Sequence, residues 1–198
     1  MVIDTTLARI LGACFYYSPQ SETISQLIPV LAEIPSLYDW DNADELVPLC
    51  LSLSQQPTDT LNYDFSVLFE GQGIMPAPPW GSVYLEHDNT VMGASTADYR
   101  QFLMAHGLTT DTGIREPEDQ FGLMMMAISA LCEQEQTEAA ISLLEQHLLP
   151  WAYRYLTLVQ ETPTEHAFYS QLALISEQYL RAIEQHYNLS PTQAELFR

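Results

Sequence analysis

Lysine is absent from all 198 positions of this chain, and arginine supplies the six basic residues that remain. That absence excludes every chemistry built on a lysine amine: a phosphate-loop lysine, a Schiff base, a pyridoxal anchor, a serine–lysine dyad. Against the six arginines stand 26 acidic residues, for a formal charge of −20 spread through the sequence rather than held in a tail. A surface of that sign keeps the chain soluble, repels nucleic acid and anionic membrane, and favours encounters with a basic partner. Such imbalance also marks disordered chains, but 11% aromatic residues and recurrent apolar periodicity argue for a folded globule.

Cysteine is scarce too. Cys14, Cys50 and Cys132 are odd in number and lack metal-ligand or redox spacing, so they read as reduced, mostly buried thiols of a cytoplasmic protein. The histidines, His87, His106, His147, His166 and His186, form no zinc pattern. Ser82 follows Gly81 but lacks the second glycine and the strand context of a nucleophile elbow. With no phosphate-cradling motif either, no cofactor, nucleotide or metal is expected, and the chain reads as a binding protein rather than an enzyme. An acid–base pair of Glu118 and Asp119 in a cleft is the enzymatic alternative. No apolar run approaches the roughly 20 residues needed to cross a bilayer, and the N-terminus carries no export-signal pattern. No segment alternates as a convincing strand does.

What is present is helical periodicity. Leu7, Ile10, Leu11, Cys14 and Phe15 place one apolar stripe on a helix over about 4–17, closed by Ser18-Pro19. Further helices are predicted over about 21–33, kinked or split by Pro29, over 42–54, over 58–69, and from a cap at Ser95 to a stop at Gly107. From Pro117 to about 135 the pattern is apolar nearly all round, with Met124, Met125 and Met126 read as core filler, which places that helix at the centre of a bundle. Thr137 is read as the cap of a helix over 138–149, Pro150-Trp151 opens another to 161, and the last covers about 164–187. Residues 70–94 lack this period and are rich in glycine and proline, a long loop of a kind more often functional than accidental. The expected fold is all-α: a single domain over 1–198, a multi-helix bundle of about eight to ten helices with a long irregular central loop.

Two segments carry the candidate chemistry. Pro76-Ala77-Pro78-Pro79-Trp80-Gly81-Ser82-Val83-Tyr84 is a rigid loop bearing an indole, since closely spaced prolines fix the backbone and remove amide donors. Glu116-Pro117-Glu118-Asp119-Gln120-Phe121-Gly122 is an acidic cluster read as a helix start, with Pro117 in the first turn. An apolar shelf beside carboxylates suits a ligand greasy at one end and cationic at the other, which describes a peptide better than a small metabolite. Each feature also has a plainer reading: Trp80 as a core plug, Leu68 and Phe69 as core, and Glu116, Glu118 and Asp119 as partners of a helix dipole. The sharper reading of the carboxylates is recognition of arginine, whose planar fork they match. Of Tyr16 and Tyr17, one is expected to be buried and the other half exposed.

Arg9 to Pro19, Leu68-Phe69 before Gly71, the Pro78 to Val83 loop, Glu116 to Gly122, His147 to Trp151 and the terminal Leu196-Phe197-Arg198 resemble, in order and over nearly the whole chain, the TorD/DmsD family of redox enzyme maturation chaperones. The resemblance implies an all-helical cytoplasmic protein that binds the twin-arginine signal peptide of a molybdenum enzyme's catalytic subunit and holds the precursor back from Tat export until its cofactor is inserted. It points to a dimethyl sulfoxide reductase subunit as client, with a trimethylamine oxide reductase subunit as an alternative. An acidic helical adaptor for a basic protein is a further reading of the charge. The resemblance also implies a peptide groove formed by Tyr16, Leu68, Phe69, Pro79, Trp80, Gly81, Ser82, Tyr84, Glu116, Pro117, Glu118, Asp119 and Gln120. Contact with the Tat translocase, no stable membrane insertion, and a monomer capable of domain-swapped dimerisation are implied with it. Two positions depart from the family pattern. Gln120 replaces a histidine, which keeps hydrogen bonding but not titration, and a tryptophan that some relatives carry is replaced near Gly73.

Overall fold

The computed structural model describes residues 3–71, 74–109 and 116–198, so the departure near Gly73 lies outside the described residues. Helix α1 (Thr5–Tyr16) starts where the Asp4 side chain accepts the Leu7 amide at 2.7 Å, an N-cap that satisfies one orphan donor. The helix expected over 21–33 is divided. α2 (Glu22–Leu27) gives way to a 3-10 turn over Ile28–Glu33 and then to α3 (Ile34–Leu37), because Pro29 has no N–H for the carbonyl one turn back.

α4 (Ala43–Ser54) and α5 (Asn62–Phe69) follow, with a turn over 58–61 where helix was expected. The central loop is interrupted by a short helix, α6 (Gly81–Leu85). α7 (Ala94–Ala105) has Gly93 and not Ser95 at its N-cap position; Ser95 sits in the first turn, where its amide and hydroxyl both donate to Glu86 at 2.8 Å. Gly107 ends this segment with a φ of +71°, a conformation that suits glycine.

α8 (Phe121–Glu133) begins later than expected. Its N-cap is Gln120, whose Oε1 accepts the Leu123 amide at 2.9 Å, so Glu116 to Asp119 form a turn ahead of the helix and Pro117 is not in its first turn. α9 (Thr137–Leu143) has Thr137 as its first residue rather than its cap, and continues through a π turn, Leu144–Leu148, into α10 (Leu149–Glu161). The π turn falls where Pro150 cannot donate within a continuous helix, and the Trp151 indole donates to the His147 carbonyl there at 2.8 Å. α11 (Phe168–Tyr187) is preceded by a turn fixed by Asp64 of α5. That fully buried carboxylate accepts the amides of Glu165 and His166, each at 2.9 Å.

α1 and α8 pack along each other at the centre of the fold. Gly12 and Gly122 meet across this contact: a Cβ on Gly12 would lie 2.6 Å from the Gly122 carbonyl oxygen, so the two backbones approach where no side chain fits. Met124 and Met125 are fully buried beside them and Met126 is half-buried. Phe121 of α8 contacts Phe15 of α1 and Tyr155 of α10, with ring centroids 5.1 and 5.0 Å apart, which knits three helices into one aromatic cluster. Cys14 and Cys50 are buried, and burial pushes their thiols up to about 12 and about 11, out of the reactive range. The fold is all-α. Among the described residues there is no strand, only an isolated antiparallel bridge between Trp80 and Gln120.

Candidate peptide-binding site

That bridge joins the two segments singled out in the sequence. The Gly81 amide donates to the Asp119 carbonyl at 3.0 Å, and the Phe121 amide donates to the Pro79 carbonyl at 2.7 Å. The division of labour follows from donor supply: Pro79 has no N–H and can only accept, while the residue after Trp80 still has one to give.

Beside the bridge lies a cavity of about 810 Å3, walled by Trp80, Pro79, Met75, Phe69, Phe65 and Tyr16, with Glu116, Glu70 and Gln120 among them. Trp80 is half-buried, and its Nε1–H donates to Glu116 Oε1 at 2.7 Å. Burial pushes the Glu116 carboxyl above its ordinary range; the indole bond offsets this in part, and the nearby Asp119 charge adds to it. Gln120 is buried with both ends engaged, its Oε1 on the Leu123 amide and its Nε2 on the Phe15 carbonyl at 3.1 Å. It thereby caps α8 and ties that cap to the end of α1. Tyr16 is half-buried and Tyr17 exposed, a step more open than expected for each, and their rings meet edge to face at 4.9 Å.

Among the described residues no arginine lines this cavity. Arg9 pairs with Glu133, Arg100 with Glu118 and Arg181 with Glu177, while Arg154 and Arg198 donate to main-chain oxygens. The described wall therefore carries carboxylates and no cation of its own.

Of the residues expected in a groove, Tyr16, Phe69, Pro79, Trp80, Glu116 and Gln120 line the cavity, and the others do not. Leu68 is fully buried in the core. Pro117 is buried in the turn that precedes α8. Glu118 is turned away and bound at both oxygens by Arg100, at 2.6 and 2.7 Å, which holds its carboxyl below the usual range. Asp119 is 3% exposed, and its Oδ2 accepts the Ser82 amide at 2.6 Å, capping α6 from a distant part of the chain. Burial pushes its carboxyl up. Gly81 is packed so closely that a Cβ would lie 2.7 Å from the Trp151 indole nitrogen. Ser82 and Tyr84 are fully buried; the Tyr84 ring stacks on Trp151 at 5.3 Å, and its hydroxyl donates to the Pro78 carbonyl at 2.9 Å.

The cavity also recruits residues that the sequence reading passed over, notably Phe65, Glu70, Met75 and Leu123. Phe65 was within reach, since it stands one helical turn before Phe69 and shares its face. Glu70 adjoins the same helix end. Met75 had no signal beyond its place in the loop.

No helix among the described residues is long and apolar enough to cross a membrane, and none of their His, Cys, Asp and Glu side chains is grouped as a metal site would require. The model of the family described as nitrate reductase delta subunit matches residues 38–156. The Tat proofreading chaperone DmsD of Salmonella typhimurium is 32% identical over 170 residues, which cover 85% of this chain and 83% of that protein. The probable Tat proofreading chaperone DmsD of Haemophilus influenzae is 31% identical over 173 residues, with the same shares covered. Chaperone protein YcdY of Escherichia coli is 30% identical over 165 residues, 80% of this chain and 82% of its own. An all-helical fold, a family match across more than half its length and chaperones aligned over most of theirs place the chain in one group: it belongs to the nitrate reductase delta subunit family, that of the TorD/DmsD redox enzyme maturation chaperones.

Proposed function

We propose that the cavity beside Trp80 binds the twin-arginine signal peptide of a redox enzyme precursor, and that the chain serves in the cytoplasm as that precursor's Tat proofreading chaperone. The observation that carries this reading is the pairing of Trp80 with Glu116, an indole and a half-buried carboxylate on one wall of a cavity of about 810 Å3. That volume lies within the range of roughly 300–1,000 Å3 typical of ligand pockets. It has room for several apolar side chains.

Magnitudes decide which part of the peptide supplies the affinity. Each leucine- or phenylalanine-sized group that leaves water contributes roughly 1.5–3 kcal/mol, whereas an arginine–carboxylate pair left in solvent contributes only about 0–1 kcal/mol. Ordering the peptide takes back about 2–5 kcal/mol, which leaves a complex of about micromolar affinity or tighter. Apolar burial thus holds the leader. Glu116 and Glu70 orient its basic end, and the overall charge of −20 speeds the encounter.

The names of the relatives support the finer assignment. Two of them carry the name DmsD, which supports the reading of the client as the catalytic subunit of a molybdoenzyme of the dimethyl sulfoxide reductase type, withheld from the translocase until its cofactor is in place. The test is fluorescence polarisation with a labelled leader peptide from such a precursor. Wild type binds, and Trp80→Ala, still folded, binds about tenfold or more weakly. Undiminished binding by Trp80→Ala would move the peptide elsewhere. Indifference to replacing the leader's arginine pair with alanines would make the protein an acidic adaptor for basic surfaces instead.

A further inference from the structure

The loop that carries Trp80 has few means of holding itself. Pro76, Pro78 and Pro79 have no N–H, so this segment is anchored through its carbonyl oxygens. At the end nearest Trp80, the Phe121 amide donates to the Pro79 carbonyl at 2.7 Å and the Tyr84 hydroxyl to the Pro78 carbonyl at 2.9 Å. At the other end, Met75 and Pro76 offer their carbonyls to one donor group from the far end of the sequence. Nη2 of Arg198 lies 2.5 Å from the Met75 carbonyl and 3.3 Å from that of Pro76. Met75 itself lines the cavity.

Arg198 is held in place by a strap. After α11 the chain runs without regular structure, and the Thr192 amide donates to the Glu145 carbonyl at 2.8 Å. The Phe197 amide donates to the Tyr84 carbonyl at 2.9 Å, Asn89 Nδ2 to the Phe197 carbonyl at 3.3 Å, and Arg154 Nε to the main-chain oxygen of Arg198 at 3.1 Å. The guanidinium is thus delivered to the loop by main-chain contacts that do not involve the cavity.

We propose that Arg198 is a positioning residue for peptide binding: it fixes the Met75–Pro76 end of the Trp80 loop and so sets the cavity wall before any ligand arrives. Its role in binding rests on the peptide-binding reading above, while its hold on the loop stands independently of that reading. A wall already in place spares the complex the entropy of ordering it.

The experiment compares full-length wild type, Arg198→Ala and Arg198→Lys by thermal melting, by hydrogen–deuterium exchange over residues 74–85, and by affinity for the labelled leader. Arg198→Ala is expected to melt as wild type does, to exchange faster at Ala77 and Trp80, and to bind the leader about tenfold more weakly. Arg198→Lys, which also donates to carbonyls though without a planar fork, recovers most of both losses. Wild-type exchange in Arg198→Ala overturns the hold on the loop. Faster exchange with undiminished leader affinity overturns the role in binding. Early melting with faster exchange throughout the chain also overturns the proposal, because it marks a general structural part. If wild type binds no leader, the peptide-binding reading falls, and the exchange over 74–85 alone decides whether Arg198 fixes the loop.

Discussion

The indole nitrogen of Trp80 and Oε1 of Glu116 stand 2.7 Å apart, so the apolar wall of the cavity and its acidic corner are bonded to one another. A cation that approaches Glu116 meets a carboxylate already oriented by a neutral donor. Trp80→Phe separates the two contributions, since it keeps an aromatic wall and drops the donor. Leader affinity is expected to fall about threefold to tenfold, less than in Trp80→Ala, as measured by calorimetric titration.

Glu116→Gln removes the charge while preserving the shape. Burial holds the Glu116 carboxyl above its ordinary 4.5, so the folded state keeps a proton that the unfolded state has already released. Stability from this group is therefore greatest at low pH and declines as pH rises through the window above 4.5. Urea titrations of Glu116→Gln from pH 4 to 7 should show a flatter profile than wild type. Leader binding should weaken and lose part of its salt dependence.

Gly12→Ala tests the contact between α1 and α8. The added methyl group would sit 2.6 Å from the Gly122 carbonyl oxygen, against backbone that cannot turn aside. The cost is about 1–3 kcal/mol of stability, read as a lower urea midpoint.

Gln120 serves two buried partners, the Leu123 amide and the Phe15 carbonyl. Gln120→Ala leaves both without a partner and should cost about 1–3 kcal/mol. Gln120→His restores the residue of the family pattern and should introduce a pH dependence of leader binding near about 6.5, where imidazole titrates.

The helices were legible because a period of 3.6 residues is a local property, and so was the break at Pro29. Helix α6 was not. Its first turn is capped by Asp119, which the sequence places far downstream. The acidic cluster was legible as a cluster but not as three different fates. Arg100 claims Glu118, the Ser82 amide claims Asp119, and only Glu116 reaches the cavity. Those partners come from other helices and loops, and spacing along a chain carries no record of them. Ser95 and Thr137 look like caps by residue type, yet Glu86 engages the first and the second is already inside its helix.

Pro76, Pro78 and Pro79 bring no amide hydrogen to the loop that carries Trp80, and each of their oxygens is engaged. Along these three prolines a guest chain would find no amide hydrogen for edge-to-edge pairing, which disfavours docking by strand addition at this stretch. On the proposed peptide-binding reading, selection would then fall to the bulk and greasiness of the guest's side groups together with its charge. A leader read in that way would tolerate changes in most of its letters, provided that it kept an oily stretch of the right size behind a basic head.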